Sequence, residues 1–126
     1  MTLVFDTSTV IAVMRRETGA DRIAELFAGG AMSSVNFAEL VAQGVRRGVS
    51  AEDVTNDFTQ LKLVVHAFDL EDATLTGALI AVTRPFGLSL GDRACLALAK
   101  RLNGTAVTAN HAWAKLDLGI PIDVFR

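Results

Sequence analysis

Along its whole length the chain alternates three- and four-residue apolar runs with capped helical segments, a pattern that suits a layered α/β domain. Leu3-Val4-Phe5 reads as a buried strand. Thr7 to Met14 carries apolar residues at helical spacing. Gly19 opens a second helical stretch, Arg22 to Ala28, with Ile23, Leu26 and Phe27 on one face, and Gly29-Gly30 ends it. Ala31 to Ser33 reads as a brief strand. Asn36 stands where a helix N-cap would, with Glu39 three residues on, as in a capping box. Ser50 with Asp53, and Asp69 with Asp72, repeat that spacing and start helices running to about Leu61 and about Thr83. Leu63-Val64-Val65 between them reads as a strand. Ser89-Leu90-Gly91-Asp92 opens the most apolar helix, through Leu102, which Gly104 ends. Thr105–Thr108 and Ile122-Asp123-Val124 are the last two strands. The expected fold is α/β with a mainly parallel sheet. Such sheets bind ligands in the crevice outside the carboxyl ends of their strands, where strand order reverses.

Size and composition agree. The 126 residues suit one compact domain, and 51% of them are apolar, enough for a core. No apolar run approaches the roughly 18 residues of a membrane span. The first residues show no basic segment and no cleavage site of a secretory signal. Cys95 is the only cysteine, so no internal disulfide forms, and a reducing cytoplasm is the expected location. The net charge of −2 and the pI near 5.6 argue against a non-specific nucleic-acid binder. They do not exclude an enzyme whose bound cations offset a carboxylate cluster.

Four polar residues fall at element ends that should meet at that crevice. Asp6 follows the first strand; it reads equally as the cap of the next helix and as a metal ligand. Glu39 is either the capping-box partner of Asn36 or a ligand. Asp92 sits in the first turn of the apolar helix, where Ser89 would be its cap and the helix dipole favours a carboxylate. Asn110 follows the Thr105–Thr108 strand and is either a helix N-cap before Ala112-Trp113-Ala114 or lends a neutral oxygen to a hard cation. Mg²⁺ or Mn²⁺ takes oxygen ligands and keeps several waters, so a few carboxylates suffice. A cation so held generates a hydroxide nucleophile and offsets charge building on a phosphorus centre.

The chain resembles the PIN-domain ribonucleases, specifically VapC-type toxins. The resemblance is carried by Asp6-Thr7-Ser8, by Asn36-Phe37-Ala38-Glu39-Leu40, by Leu90-Gly91-Asp92-Arg93-Ala94-Cys95-Leu96-Ala97-Leu98-Ala99, and by Thr108-Ala109-Asn110 with Trp113-Ala114. It implies a single three-layer α/β/α domain over residues 1–126, with a parallel sheet of four or five strands. It also implies Mg²⁺- or Mn²⁺-dependent cleavage of RNA by metal-activated water, as the toxin of a type II toxin–antitoxin pair. Asp6, Glu39 and Asp92 match three acidic positions of the family and would be the metal ligands. The fourth position usually carries Asp; here it is Asn110, which removes one negative charge. Catalytic residues are thus expected at Asp6, Glu39, Asp92 and Asn110, with Ser8, Thr108 and Arg93 around them. The implied partners are RNA, a VapB-like antitoxin and a second copy of the chain in a homodimer, with DNA met only through the antitoxin and no membrane.

The remaining polar residues carry blander expectations. Arg15-Arg16, Arg46-Arg47 and Lys100-Arg101 read as solvated helix faces or ends, and Arg93 as an exposed ion pair or a phosphate contact. His111 lacks an orienting partner for proton transfer, and His66 reads as structural. Trp113 should pack against the sheet edge and Cys95 should be a buried small hydrophobe. Two rival readings stand beside the nuclease. One is a catalytically impaired PIN-like domain that binds RNA or a partner, suggested by Asn110. The other is a phosphoryl-transfer domain of another family, but the second Asp such enzymes carry is replaced by Ser8, and nucleotide-binding glycine patterns are absent.

Overall fold

A computed structural model describes all of residues 1–126. Its centre is a five-stranded, all-parallel sheet of β1 (Leu3–Phe5), β2 (Ala31–Ser33), β3 (Val64–His66), β4 (Thr105–Thr108) and β5 (Ile122–Val124). The spatial order is β3-β2-β1-β4-β5. The chain therefore builds outward from β1 on one side, then returns to lay β4 and β5 on the other. The crevice between β1 and β4 is the reversal point that a doubly wound sheet offers to ligands.

The central strands β1, β2 and β4 are short and mostly buried, because helices cover both faces of the sheet there, while the edge strands β3 and β5 expose Val64, Val65 and Asp123. Consecutive residues serve opposite layers. Phe5, Met32 and Val107 join one core cluster, with Val10, Ile23, Leu40, Val54 and Phe58. That layer is built by α1 (Thr7–Met14), α2 (Ala20–Ala24), α3 (Ser34–Arg46) and α4 (Ala51–Thr59). Val4, Ala31 and Ala106 point the other way and join Leu79, Leu88, Cys95, Leu96, Leu98 and Trp113. That layer is built by α5 (Leu70–Ala78), α6 (Ile80–Thr83) and α7 (Leu90–Arg101). Within α7 every residue from Ala94 to Ala99 is buried, as its composition required.

Three local expectations are corrected. The helix expected over Arg22–Ala28 is shorter and earlier, Ala20–Ala24, entered through Gly19 at φ 84°. Its end tightens into bonds from Leu26 N to Ile23 O (2.9 Å) and from Phe27 N to Ala24 O (3.3 Å), so Leu26 turns to solvent while Ile23 and Phe27 stay in the core. Asn36 is not an N-cap. Strand β2 runs straight into α3, Ser33 caps it by accepting from Val35 N, and Asn36 becomes the third helical residue. The helix starting at Asp69 divides at the buried Leu79 into α5 and α6 instead of running unbroken to Thr83.

Candidate metal and catalytic centre

Asp6 leaves β1 in an extended conformation and caps α1, accepting from Thr9 N at 2.9 Å. The cap is only part of its surroundings. Oδ1 also accepts from Thr9 Oγ1 (2.7 Å) and Ser8 Oγ (2.8 Å), and Oδ2 accepts from Thr108 Oγ1 (2.6 Å) and Ser8 Oγ (2.9 Å). The residue is 3% exposed. Every donor is neutral. Burial therefore raises the Asp6 carboxyl above its ordinary range, against the pull of the hydrogen bonds from Thr108, Thr9 and Ser8. The cap and ligand readings of Asp6 are compatible, because Ser8 is exposed and its hydroxyl is free to turn off the carboxylate.

Glu39 lies one turn into α3. Its Oε1 accepts from Thr7 Oγ1 (2.9 Å) and Asn36 Nδ2 (3.0 Å), and its Oε2 accepts no hydrogen bond. Asp92 closes a capping box with Ser89: Oδ2 accepts from Ser89 N (2.9 Å), while Ser89 Oγ accepts from Asp92 N (3.1 Å). Asn110 is exposed and caps the short 3-10 turn His111–Lys115, its Oδ1 accepting from Ala112 N at 3.0 Å.

Asp6, Glu39, Asp92 and Asn110 line one cavity of about 320 Å³ at the carboxyl edge of the sheet, together with Ser8, Asn36 and Glu17. Its one basic lining residue is Arg126, and that guanidinium pairs with Glu17 at 2.8 Å. No Lys or Arg pairs with Asp6, Glu39 or Asp92; the chain's other ion pair, Arg101 with Asp72, lies elsewhere. The joint field of the three carboxylates is felt below the cavity. There the buried Cys95 thiol is held well above its ordinary range, first by burial and then by the negative charges of Asp6, Asp92 and Glu39.

The donor set fits a hard divalent cation: oxygen only, four carboxylates against one guanidinium, and unbonded oxygens on Glu39 and Asp92. The fit is to a hydrated ion. No three acidic, His or Cys side chains stand close enough to grip one ion directly, so water would complete its shell.

Thr108 is buried and orients Asp6 while accepting from Asn110 N. Arg93 does not line the cavity; it is partly buried, forms no ion pair, and its Nη1 donates to Thr76 O on α5 at 2.8 Å, so neither the expected exposed ion pair nor the expected phosphate contact is seen. His111 is exposed and outside the cavity lining. Trp113 is fully buried in the α5–α7 layer, beyond the reach of a stacking base. Sequence reasoning missed Thr7, Thr9, Glu17 and Arg126, and it took Asn36 for a cap. The hydroxyl run Thr7-Ser8-Thr9 beside Asp6 was the available signal for the first two.

Comparison with curated proteins gives no match. Among solved structures, the chain is similar to VapBC2 from Rickettsia felis bound to a promoter DNA fragment (22% identity, 98% of each chain covered, TM-score 0.75). It is similar also to DNA-bound VapBC from Salmonella typhimurium (19% identity, 98% of this chain and 97% of that one, TM-score 0.74). A toxin–antitoxin complex from Klebsiella pneumoniae matches at 19% identity, over 91% of this chain and 92% of that one, with TM-score 0.72. At these identities the likeness establishes a common fold. The family model for the PIN domain matches residues 3–118, nearly the full length, and the chain belongs to that family.

Proposed function

We propose that the chain is a Mg²⁺- or Mn²⁺-dependent endoribonuclease, the VapC-type toxin of a toxin–antitoxin pair. The observation that carries the reading is Asp6: a buried carboxylate with no cationic partner, lining one cavity with Glu39 and Asp92. Family membership and the toxin–antitoxin complexes among its structural relatives support it.

Asp6, Glu39 and Asp92 would hold the cation, with Asn110 at the edge. When bound, such an ion offsets charge at the scissile phosphate and makes a water acidic enough to attack near neutral pH. The chain's own residues do the rest. Thr9 and Thr108 fix the Asp6 carboxylate, Thr7 donates to Glu39, and Ser89 fixes Asp92. Three carboxylates held in place before the reaction lose little freedom during it. The test is cleavage of single-stranded RNA by the purified chain with Mn²⁺. Cleavage should stop with EDTA and in Asp6→Ala; cleavage undiminished by both would defeat the proposal.

One observation favours a second reading, an impaired PIN domain that only binds RNA or a partner. Asn110 adds no charge, and its carbonyl is engaged by Ala112 N. Binding of RNA without cleavage at saturating Mn²⁺ would select it. For the partner, we propose a VapB-like antitoxin and a homodimer, with DNA reached only through the antitoxin. Val64 and Val65 on the edge strand, with Leu70 and Val82, are exposed apolar side chains available to such contacts. Co-expression with the antitoxin should give an inactive complex, and sedimentation should show a dimer. No helix is long and apolar enough to cross a membrane.

A further inference from the structure

We infer that Asn36 is a positioning residue of this centre: its amide holds the Glu39 carboxylate against the glycine that opens α7, fixing Glu39 relative to Asp92. The inference rests on the nuclease reading of the cavity and adds a residue to it.

Asn36 is 1% exposed, among the larger fully buried side chains of the chain. A buried amide is costly unless its hydrogens find acceptors. Both do: Nδ2 donates to Glu39 Oε1 and to Gly91 O, each at 3.0 Å. Those two acceptors also settle which way the amide faces, since the reverse orientation would set Oδ1 against a carboxylate and a carbonyl. Oδ1 itself is buried with no partner, so the residue serves here as a donor. Glu39 is one turn away on the same helical face. Gly91 is fifty-five positions away in sequence. The amide thus joins α3 to α7 at the two turns that carry Glu39 and Asp92. Thr7 adds the third element: its hydroxyl lies 3.0 Å from Asn36 O and 2.9 Å from Glu39 Oε1.

Gly91 completes the arrangement. A Cβ there would collide with the Glu39 carboxylate, all three of whose terminal atoms lie against the glycine. The missing side chain gives Glu39 its space, and the carbonyl of the same residue anchors the amide that holds Glu39. The outcome is a carboxylate with Oε1 bound by two neutral donors and Oε2 unbonded. A contact made only for stability would have no need of a carboxylate that no Lys or Arg pairs with.

The test uses the full-length chain, Mn²⁺ titration calorimetry, steady-state cleavage and melting temperature. Asn36→Ala should weaken Mn²⁺ binding and lower kcat by roughly ten- to a hundredfold, the usual cost of losing a group that orients a ligand, with KM unchanged. Asn36→Ser, which keeps one donor, should recover part of both. Gly91→Ala should reproduce the loss, although alanine otherwise favours a helix, and it carries the test if Asn36→Ala does not fold. Wild-type Mn²⁺ affinity and kcat in both Asn36→Ala and Gly91→Ala would overturn the inference. So would losses of cleavage that follow melting temperature alone, with Mn²⁺ affinity per folded molecule unchanged. An Asp6→Asn variant that cleaves like wild type would instead overturn the nuclease reading, whatever Asn36 does to Mn²⁺ binding.

Discussion

Two aspartates are almost wholly removed from solvent, and the fold treats them differently. Asp72, on the α5 side, is 2% exposed and receives a two-point grip from Arg101, Nε to Oδ1 at 2.6 Å and Nη2 to Oδ2 at 3.1 Å. The pairing in turn raises the Arg101 guanidinium above its ordinary value, chiefly through the hydrogen bond. Asp6, at the carboxyl edge of the sheet, is 3% exposed and receives four neutral donor groups from Ser8, Thr9 and Thr108, with no cation. Burial of a charge is tolerated when a counter-charge accompanies it. Asp72 has its counter-charge within the chain, tying α5 to α7. Asp6 has the geometry of a held carboxylate without the neutralisation, and it shares its cavity with Glu39 and Asp92. The contrast separates a carboxylate neutralised within the fold from one left without a counter-charge at the fold's edge.

The largest effect should come from removing the unneutralised charge. Asp6→Asn keeps the shape and much of the capping but removes the charge proposed to hold the cation. Cleavage should fall on the order of a thousandfold, the several kcal/mol a bound cation supplies, while the far-ultraviolet circular dichroism stays that of wild type. Cleavage within a factor of a few of wild type would show that the difference between the two aspartates has no catalytic meaning.

Arg101→Met should do the reverse. It strands Asp72 in the interior, and denaturant unfolding should report a loss of about 3 kcal/mol, the low end for a broken buried pair because the Arg101 side chain is 24% exposed. Cleavage per folded molecule should be unchanged. A stability loss near zero would mean that Asp72 finds solvent once released, and that its burial is not a constraint of the fold.

These two residues also show how far the sequence could be read. Asp6 was legible because a carboxylate directly after the first apolar run must lie at the carboxyl edge of the sheet, and Glu39, Asp92 and Asn110 fell to the same edge by the same reasoning. The strands were legible because their apolar runs are short and bounded; β1, β2, β4 and β5 match the expected residues, and β3 lies one residue later than the expected Leu63–Val65, at Val64–His66. Arg101 was not legible. Beside Lys100 at a helix end it reads as solvated, and its partner is 29 residues away on another helix, a pairing that only tertiary packing creates. Asp72 was read from its spacing to Asp69. That half is correct, since Asp69 Oδ1 accepts from Asp72 N, but nothing local says that the Asp72 carboxylate turns to α7. Asn36 failed for a related reason: cap statistics describe a helix end, and β2 enters α3 three residues earlier than the capping pattern suggests.

The third effect is a slope in pH. With metal chelated, the folded chain holds the Asp6 proton more tightly than the unfolded chain does, because burial raises this carboxyl above its unfolded value. Its contribution to stability is therefore full below the unfolded value and is lost as pH rises through the folded one. Asp6→Asn lacks that loss. The stability of the variant relative to wild type should increase as pH is raised through that window, measured by urea unfolding in EDTA. A difference that is flat with pH would show that the hydroxyls of Ser8, Thr9 and Thr108 fully compensate burial. A saturating cation should flatten it too, by supplying to Asp6 what Arg101 supplies to Asp72.

The smallest effect belongs to a third kind of carboxylate, Glu17, which has a cation and is only partly buried. Its pair with Arg126 is 2.8 Å long, with the two side chains 36% and 33% exposed, at the mouth of the same cavity. A pair that water still reaches gains little, because solvent screens both charges and ordering two long side chains opposes their attraction. Glu17→Gln is the cleaner probe, since Arg126 also lies over the Phe125 ring at 5.5 Å and its removal would disturb that contact as well. The variant should lose about 0.5 kcal/mol at low ionic strength, and the loss should shrink towards zero near 1 M salt, where screening acts over about 3 Å. A loss comparable to that of Arg101→Met, or one indifferent to salt, would place Glu17 with Asp72 as a carboxylate the fold depends on. A small, salt-sensitive loss leaves Asp6 as the carboxylate that is buried without a cation of its own.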